Sequence, residues 1–499
     1  MVAVYSDADA RARFVAAADQ AVHLPGVAPA ETYLNVEAVV RAALATGAEA
    51  VHPGYGFLSE RADVAQAVRD AGLAWVGPPP EAIRAAGDKL RARGLAGSVG
   101  VAPVPGTFQP VVDSEAILGF GEQHGYPIAI KAARGGGGRG LKVAASAKDV
   151  PRAFESSVRE AEAYFGSGDV YLERYLARPK HIEVQILAPA TGRALWLGAR
   201  DCSLQRRHQK LIEETPPARF ADLVPRMGDA AVAVANACGY VNAGTVEFLV
   251  DADSPIGDFF FLEVNARLQV EHTITEEVLG FDLVAAQLRI AAGDPVAVDG
   301  GTARQARGHA IECRINAEDP SRGFIPGPGL ITRYREPGGP GVRVDSGFGE
   351  GDEVPRAYDS LIGKLIVWGA DRQEARRRML RALREFEIEG VPTTIPAHRL
   401  LLQSPEFVAG TYTTRTVEGG ALDALTTQTV QPTADTPGGS ALVVRGRPVR
   451  LWNPGMAGSV APAGRGMTSP DRGAVVAPMH GTVLKVLVAD SDPVKAGDP

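Results

Sequence analysis

Glycines and charged residues are spaced along this chain in ways that suit phosphate and carboxylate chemistry. The sharpest instance is Lys131-Ala-Ala-Arg-Gly-Gly-Gly-Gly-Arg-Gly140, where Gly135, Gly136, Gly137 and Gly138 precede Arg139 and Gly140. Without a Cβ, glycine lets backbone N–H groups approach phosphate oxygens closely. Ile128-Ala-Ile runs into the glycines and Leu141-Lys-Val runs out of them. That context predicts a β-hairpin tip that closes over a nucleotide, because Walker and dinucleotide loops open a helix instead. A plain flexible turn is the alternative.

Polar and apolar residues alternate through Glu263-Val-Asn-Ala-Arg-Leu-Gln-Val-Glu271. Read as one extended strand, this run turns Glu263, Asn265, Arg267, Gln269 and Glu271 to one face. A solvated face gives the same pattern, but the flank Phe259-Phe-Phe-Leu argues for burial, and buried charges must be paired or hold ions. Glu247, in Thr245-Val-Glu-Phe-Leu-Val, is a further carboxylate on an apolar strand. With Glu263 and Asn265 it offers hard oxygen ligands for Mg²⁺ shared with nucleotide phosphates, the competing reading being a buried Glu paired to an arginine. Arg200 to Lys210 concentrates positive charge, either beside phosphates or as a surface patch. Only nine of the 52 basic residues are lysines. Where Lys89, Lys131 and Lys210 persist beside glycines or acids, a compact ammonium serves where a guanidinium would not fit.

The elements that must position these groups follow from periodicity. Residues 1–84 alternate short apolar runs with Ala-rich helical stretches, the rhythm of a small parallel βαβ sheet. Residues 85–295 read as paired strands with intervening helices, and 300–410 as further strands with a long charged helix around Arg372 to Glu387. The Thr-, Pro-, Gly- and Ser-rich stretch 411–472 is expected to be a linker with short strand-like pieces. Residues 473–499 recover an apolar pattern but are too few to bury a core.

At 499 residues several domains of ~100 to 200 residues are expected. Apolar residues make up 45% and charged residues 22%, as in globular proteins, and a net charge of −7 without a basic run argues against nucleic acid or an anionic membrane as partner. Cys202, Cys238 and Cys313 are too few and too dispersed for a disulfide framework. With neither a signal-like N-terminus nor a span of ~18 apolar residues, a cytoplasmic location is expected.

Together with His52-Pro-Gly-Tyr-Gly-Phe-Leu-Ser-Glu60, Gly87-Asp-Lys89 and Glu312-Cys-Arg314, these stretches resemble, in order and spacing, the biotin carboxylase family of ATP-grasp enzymes over about Val2 to residue 405. The closing Ala477-Pro-Met-His-Gly-Thr-Val resembles the start of a biotinyl carrier domain, and the layout resembles the α chain of an acyl-CoA carboxylase. The resemblance implies an α/β and α+β multidomain fold: a Rossmann-like pre-ATP-grasp domain (1–84), an ATP-grasp domain (85–295), an α+β C-terminal domain (300–410) and a partial lipoyl-like carrier segment (473–499). It implies an ATP site of Lys89, Lys131, Glu173, Arg174, Leu176, His181, Gln205 and His208, with Gly135 to Gly140 and Arg139 as lid. Glu247, Glu263 and Asn265 would hold Mg²⁺ or Mn²⁺. Lys210, Arg267, Gln269, Val270 and Glu271 would grip bicarbonate, Glu271 as general base, and Arg314 would face the ureido oxygen of biotin. The implied reaction carboxylates protein-linked biotin from ATP and bicarbonate, in service of fatty acid biosynthesis, with a biotin carboxyl carrier domain, a carboxyltransferase β subunit and a second copy of the chain as partners.

Family members normally begin earlier, with a strand, a Gly turn and a helix, so an upstream start is expected; if the short form is the real one, residues 1–84 are expected to fold weakly. The family's biotin-accepting lysine lies beyond Pro499, which places biotin on a carrier outside this chain as given. Competing readings are another ATP-grasp ligase and a non-catalytic remnant that binds nucleotide or partners.

Overall fold

The computed structural model describes residues 1–133, 141–191, 193–253, 258–296 and 305–426, and the backbone of 439–444 and 447–452. Strand β1 (Val2–Tyr5) pairs in parallel with β2 (Gln20–His23), and β3 (Ala50–Val51) with β4 (Ala74–Trp75). The helix Ala62–Asp70 between β3 and β4 turns Val64, Ala65 and Val68 inward, where they join Trp75 and Ile83 in a cluster that also holds Val184, Val246 and Phe261 of the following region. Helix α1 (Lys89–Ser98) starts on Asp88, whose carboxylate accepts the Arg91 N–H at 3.0 Å, so the cap fixes Lys89 at the first turn.

Strands β5 (Ile128–Ala132), β6 (Lys142–Ala144) and β7 (Val170–Arg174) form a small antiparallel sheet with β5 in the middle. The larger sheet comprises β8 (Pro179–Ala188), β9 (Leu195–Arg206), β10 (Gln209–Thr215), β11 (Asn242–Asp251), β12 (Phe259–Asn265), β13 (His309–Asn316), β14 (Val342–Ser346) and β15 (Leu361–Gly369). Its eight strands run in the order β12-β11-β8-β9-β10-β13-β15-β14, each pair antiparallel. The alternation along β8 sorts its faces: Ile182, Val184 and Ile186 enter the large cluster, leaving His181, Glu183 and Gln185 on the other side. One sheet therefore carries polar residues from 181 to 314 to a common surface.

The strand expected from Glu263 to Glu271 stops at Asn265. Arg267, Gln269, Val270 and Glu271 lie in an irregular turn that leads into helix α2 (His272–Leu279). Buried charges need partners on several elements, and a turn can offer them where a straight strand cannot. A second correction concerns the expected linker. Its first part packs into the C-terminal core through Tyr412, Val417 and Leu422, three apolar residues hidden in a polar, Gly-rich stretch. A hairpin pairs Gly439–Val444 with Arg447–Trp452. The proposed Gly lid with Arg139, and the carrier-like segment 473–499, lie outside the described residues.

Candidate active site

A cleft of about 480 Å³ opens between the two sheets. Of the residues singled out from sequence, Lys89, Lys131, Glu173, Arg174, Leu176, His181, Gln205, His208, Lys210, Glu247, Glu263, Asn265, Arg267, Gln269, Val270 and Arg314 line it. Glu271 is fully buried behind Lys210 and Arg314.

At one end, Lys131 on β5 donates to Glu173 on β7 at 2.9 Å, and Glu173 also takes Arg93 Nη1 at 2.6 Å and the Tyr171 hydroxyl at 3.1 Å. Burial pushes the Glu173 carboxyl up, but Lys131 and Arg93 outweigh it and hold it below its ordinary value. Lys89 Nζ stands 2.9 Å from Glu263. The ammonium groups of Lys89 and Lys131, each resting on a carboxylate, thus flank the cavity where an anion would be met by positive charge.

In the middle, Glu247 and Glu263 are direct cross-strand partners on β11 and β12. Asn265 donates to Glu247 Oε1 at 2.8 Å and His181 Nε2 lies 2.8 Å from its Oε2. Against the desolvation that raises it, Lys210 and His181 keep the Glu247 carboxyl well below the usual range, so it is ionised. Two facing carboxylates with an amide alongside are the donor set a hard divalent cation takes, and lysines now answer both charges. Oxygen and nitrogen atoms of His181, Glu183 and Glu247 also approach within 4.8 Å of one another, but Lys210 Nζ, 2.5 Å from Glu183, already supplies the cation there.

The far end is an alternating row of buried charges. Arg200 Nε meets Glu183 at 2.5 Å, and Lys210 meets Glu183 and Glu271, each at 2.5 Å. Arg314 then bridges Glu271 at 2.9 Å and Glu213 at 2.6 Å. Burial opposes ionisation of Glu271, yet Lys210, Arg314 and Arg200 hold its carboxyl far below the ordinary value. Both of its oxygens are therefore engaged, and it becomes a stronger base only as Lys210 and Arg314 turn to other anions. Arg267 donates to Gln269 at 3.1 Å and Asn265 at 3.2 Å, and approaches Glu60 at 3.4 Å.

Sequence reasoning passed over Arg93, Glu183 and Glu213, which position Glu173, Lys210 and Arg314. Glu183 carried the signal that flagged Glu247, an acid on an apolar strand; Arg93 and Glu213 carried none. Tyr55, within the His52 to Glu60 motif but given no role from sequence, reaches the cleft from a loop turned by Gly54 and Gly56 at φ of 65° and 74°. The basic run splits: Arg200 and Lys210 face inward, while Arg207 and His208 make the β9–β10 turn at φ of 47° and 67°.

Three family models match consecutive parts of the chain: the biotin carboxylase N-terminal domain over residues 1–83, the carbamoyl-phosphate synthase L chain ATP binding domain over 88–298, and the biotin carboxylase C-terminal domain over 312–419. The biotin-dependent acyl-coenzyme A carboxylase alpha3 subunit of Mycobacterium leprae is 44% identical over 100% of this chain and 87% of its own length. The biotin carboxylase of Nostoc sp. is 48% identical over 84% of this chain and 93% of its own. Among solved structures, the biotin carboxylase domain dimer of Hydrogenobacter thermophilus 2-oxoglutarate carboxylase, in complex with MgADP, ADP and bicarbonate, superposes with a TM-score of 0.81 at 42% identity, covering 85% of this chain and 93% of that one. The biotin carboxylase of Campylobacter jejuni, in a β,γ-ATP complex, gives 0.80 at 40%, covering 84% and 93%. With its fold, its cleft and these relatives in agreement, the chain belongs to the biotin carboxylase family of ATP-grasp ligases.

Proposed function

We propose that this chain carboxylates biotin held on a carrier domain, using ATP and bicarbonate through carboxyphosphate, as the biotin carboxylase component of an acyl-CoA carboxylase. The observation that carries the reading is Glu271, poised between Lys210 and Arg314 at the end of a cleft whose other end presents Lys89 and Lys131. Lys89 and Lys131 receive the nucleotide phosphates, exchanging carboxylate partners for phosphate oxygens. Glu247, Glu263 and Asn265 hold Mg²⁺, which when bound neutralises charge on the phosphates.

Bicarbonate takes Lys210 and Arg267 as its cationic partners and Gln269 as a donor. As Lys210 turns to the substrate, Glu271 loses one counterion and gains the basicity to take the bicarbonate proton. Carboxyphosphate breakdown gives CO₂ and phosphate, the phosphate takes the proton from the biotin nitrogen, and Arg314 donates to the ureido oxygen as negative charge gathers there. Gly135 to Gly140 serve as the lid in this reading, and exclusion of water protects the carboxyphosphate. The similarity to an acyl-CoA carboxylase alpha3 subunit over 100% of this chain and 87% of that one supports an acyl-CoA as final acceptor, reached through a carboxyltransferase partner, and the related dimer supports a homodimer.

The test is phosphate release from ATP, Mg²⁺ and bicarbonate, with and without free biotin. Stimulation by biotin is expected; turnover indifferent to biotin points to another ATP-grasp ligase, and no turnover to a non-catalytic chain.

A further inference from the structure

Beyond the groups this chemistry uses, Glu213 and Glu312 stand out. They are direct cross-strand neighbours in the antiparallel β10–β13 ladder, and both are completely buried. Residues so placed have Cβ atoms about 4.5–5.5 Å apart, and like charges there repel. Each leaves one carboxylate oxygen, Oε2 of Glu213 and Oε1 of Glu312, with no hydrogen-bond partner among the described residues. Buried and unsatisfied carboxylate oxygens on two acids paired directly across the ladder are what one proton between them would satisfy. The other oxygens are committed: Glu213 Oε1 accepts from Arg314 Nε at 2.6 Å, and Glu312 Oε2 accepts from the Thr273 hydroxyl. The charged groups that face the pair are Arg314, Glu271 and Lys210 around Glu213, and Lys364, Arg314 and Glu271 around Glu312. Burial, reinforced by Glu312 and Glu271, outweighs Arg314 and lifts the Glu213 carboxyl to about 8.

We propose that Glu213 and Glu312 share one proton and act together as positioning residues that anchor Arg314 by its Nε edge, leaving its Nη edge to pass from Glu271 to biotin. With one proton the pair carries a single negative charge, which matches the one guanidinium it holds. When Glu271 takes a proton from bicarbonate, Arg314 still has an anionic partner and stays aligned. The inference rests on the biotin reading for its kinetic consequence, and on the ladder alone for the shared proton.

Infrared difference spectra of the full chain test the proton without reference to catalysis. At neutral pH the wild type is expected to show a buried protonated-carboxyl C=O band that Glu213→Gln and Glu312→Gln each remove. In kinetics, Glu213→Gln is expected to raise the KM for biotin about tenfold or more, and to lower biotin-stimulated phosphate release far more than biotin-independent ATP hydrolysis. Glu312→Gln puts a permanent N–H where the proton sat, so a rise in the KM for biotin above a pH of about 8 in the wild type is expected to vanish in that variant. Absence of the band in the wild type overturns the proposal, as does a wild-type KM for biotin in folded Glu213→Gln. Should a variant fail to fold, the pH titration of the wild-type band decides. A wild type that shows the band but no biotin stimulation overturns the biotin reading instead, and keeps the shared proton.

Discussion

Glu213 and Glu214 are neighbours on β10 that face opposite sides of the sheet and meet opposite electrostatic surroundings. Glu213 lies buried behind the cleft-lining Arg314, its direct ion pair, with the acids Glu312 and Glu271 nearby, and its carboxyl is lifted to about 8. Glu214 faces the C-terminal core, where Arg372 grips both oxygens at 2.8 and 3.0 Å, His309 Nε2 stands at 2.9 Å and the Tyr412 hydroxyl donates at 2.5 Å. Burial there is just as complete, yet the bonds and charges of His309 and Arg372 override it and hold the carboxyl at about 2. Depth alone does not set an acid's charge; the ratio of cations to acids around it does. On the core face the cations are held in fixed pairs with Glu214, whereas on the other face Lys210 and Arg314 are each shared between two or more acids.

The contrast can be broken or sharpened by experiment. The largest expected effect is on the cleft face: Glu271→Gln is expected to cut biotin-stimulated phosphate release by about 10²–10⁴-fold while nucleotide still binds. Steady-state rates and a nucleotide titration check this, and an unaltered rate removes Glu271 as the base. On the core face, Glu214→Gln strands Arg372 without its buried anion and is expected to cost about 3–5 kcal/mol in denaturant unfolding. Its KM for biotin is expected to match that of the wild type; a raised KM would erase the division of labour between the faces.

The pH dependence of stability carries opposite signs from the two acids. Glu214 falls from 4.5 to about 2 on folding, so its contribution, on the order of 3 kcal/mol, is complete above pH 4.5 and lost as pH falls through 2. Glu213 rises from 4.5 to about 8, so the folded chain keeps a proton that the unfolded chain has released, and its share of stability declines as pH climbs through that window. Denaturation midpoints across pH 2 to 8 are expected to lose the acid limb in Glu214→Gln and the neutral decline in Glu213→Gln. Tyr412→Phe makes the smallest change. It removes one hydroxyl from Glu214 but keeps the ring 3.4 Å from Lys180, for an expected loss of about 1 kcal/mol in the same assay.

Glu247 and Glu263 were legible in the sequence because an acid is conspicuous on a strand written in apolar residues. The paired-strand region and the parallel rhythm before it were legible for a like reason, since a period of two differs plainly from one of 3.6. The end of β12 was not. Alternation continues from Glu263 to Glu271 although the backbone leaves the sheet at Asn265, because a turn whose side chains seek Lys210 and Arg314 can mimic that period. The doublet Glu213-Glu214 has no period at all, and its meaning depends on β13, on Arg372 and on Tyr412, far along the chain. Tyr412, Val417 and Leu422 were submerged in linker-like composition for the same reason: what they pack against lies elsewhere.

The cleft's two walls differ in how they are built. Lys210, Glu271 and Arg314 are set on or beside one eight-stranded ladder, whereas Lys131 and Glu173 ride on a separate three-stranded one. The two ends of the cleft thus rest on separate hydrogen-bonded frames: a change confined to the three-stranded ladder alters the spacing of Lys131 and Glu173 from the Glu271 end but leaves the contacts of Glu271 with Lys210 and Arg314 as they are. Sequence change at one end of the cleft can therefore accumulate without disturbing the ion pairs at the other.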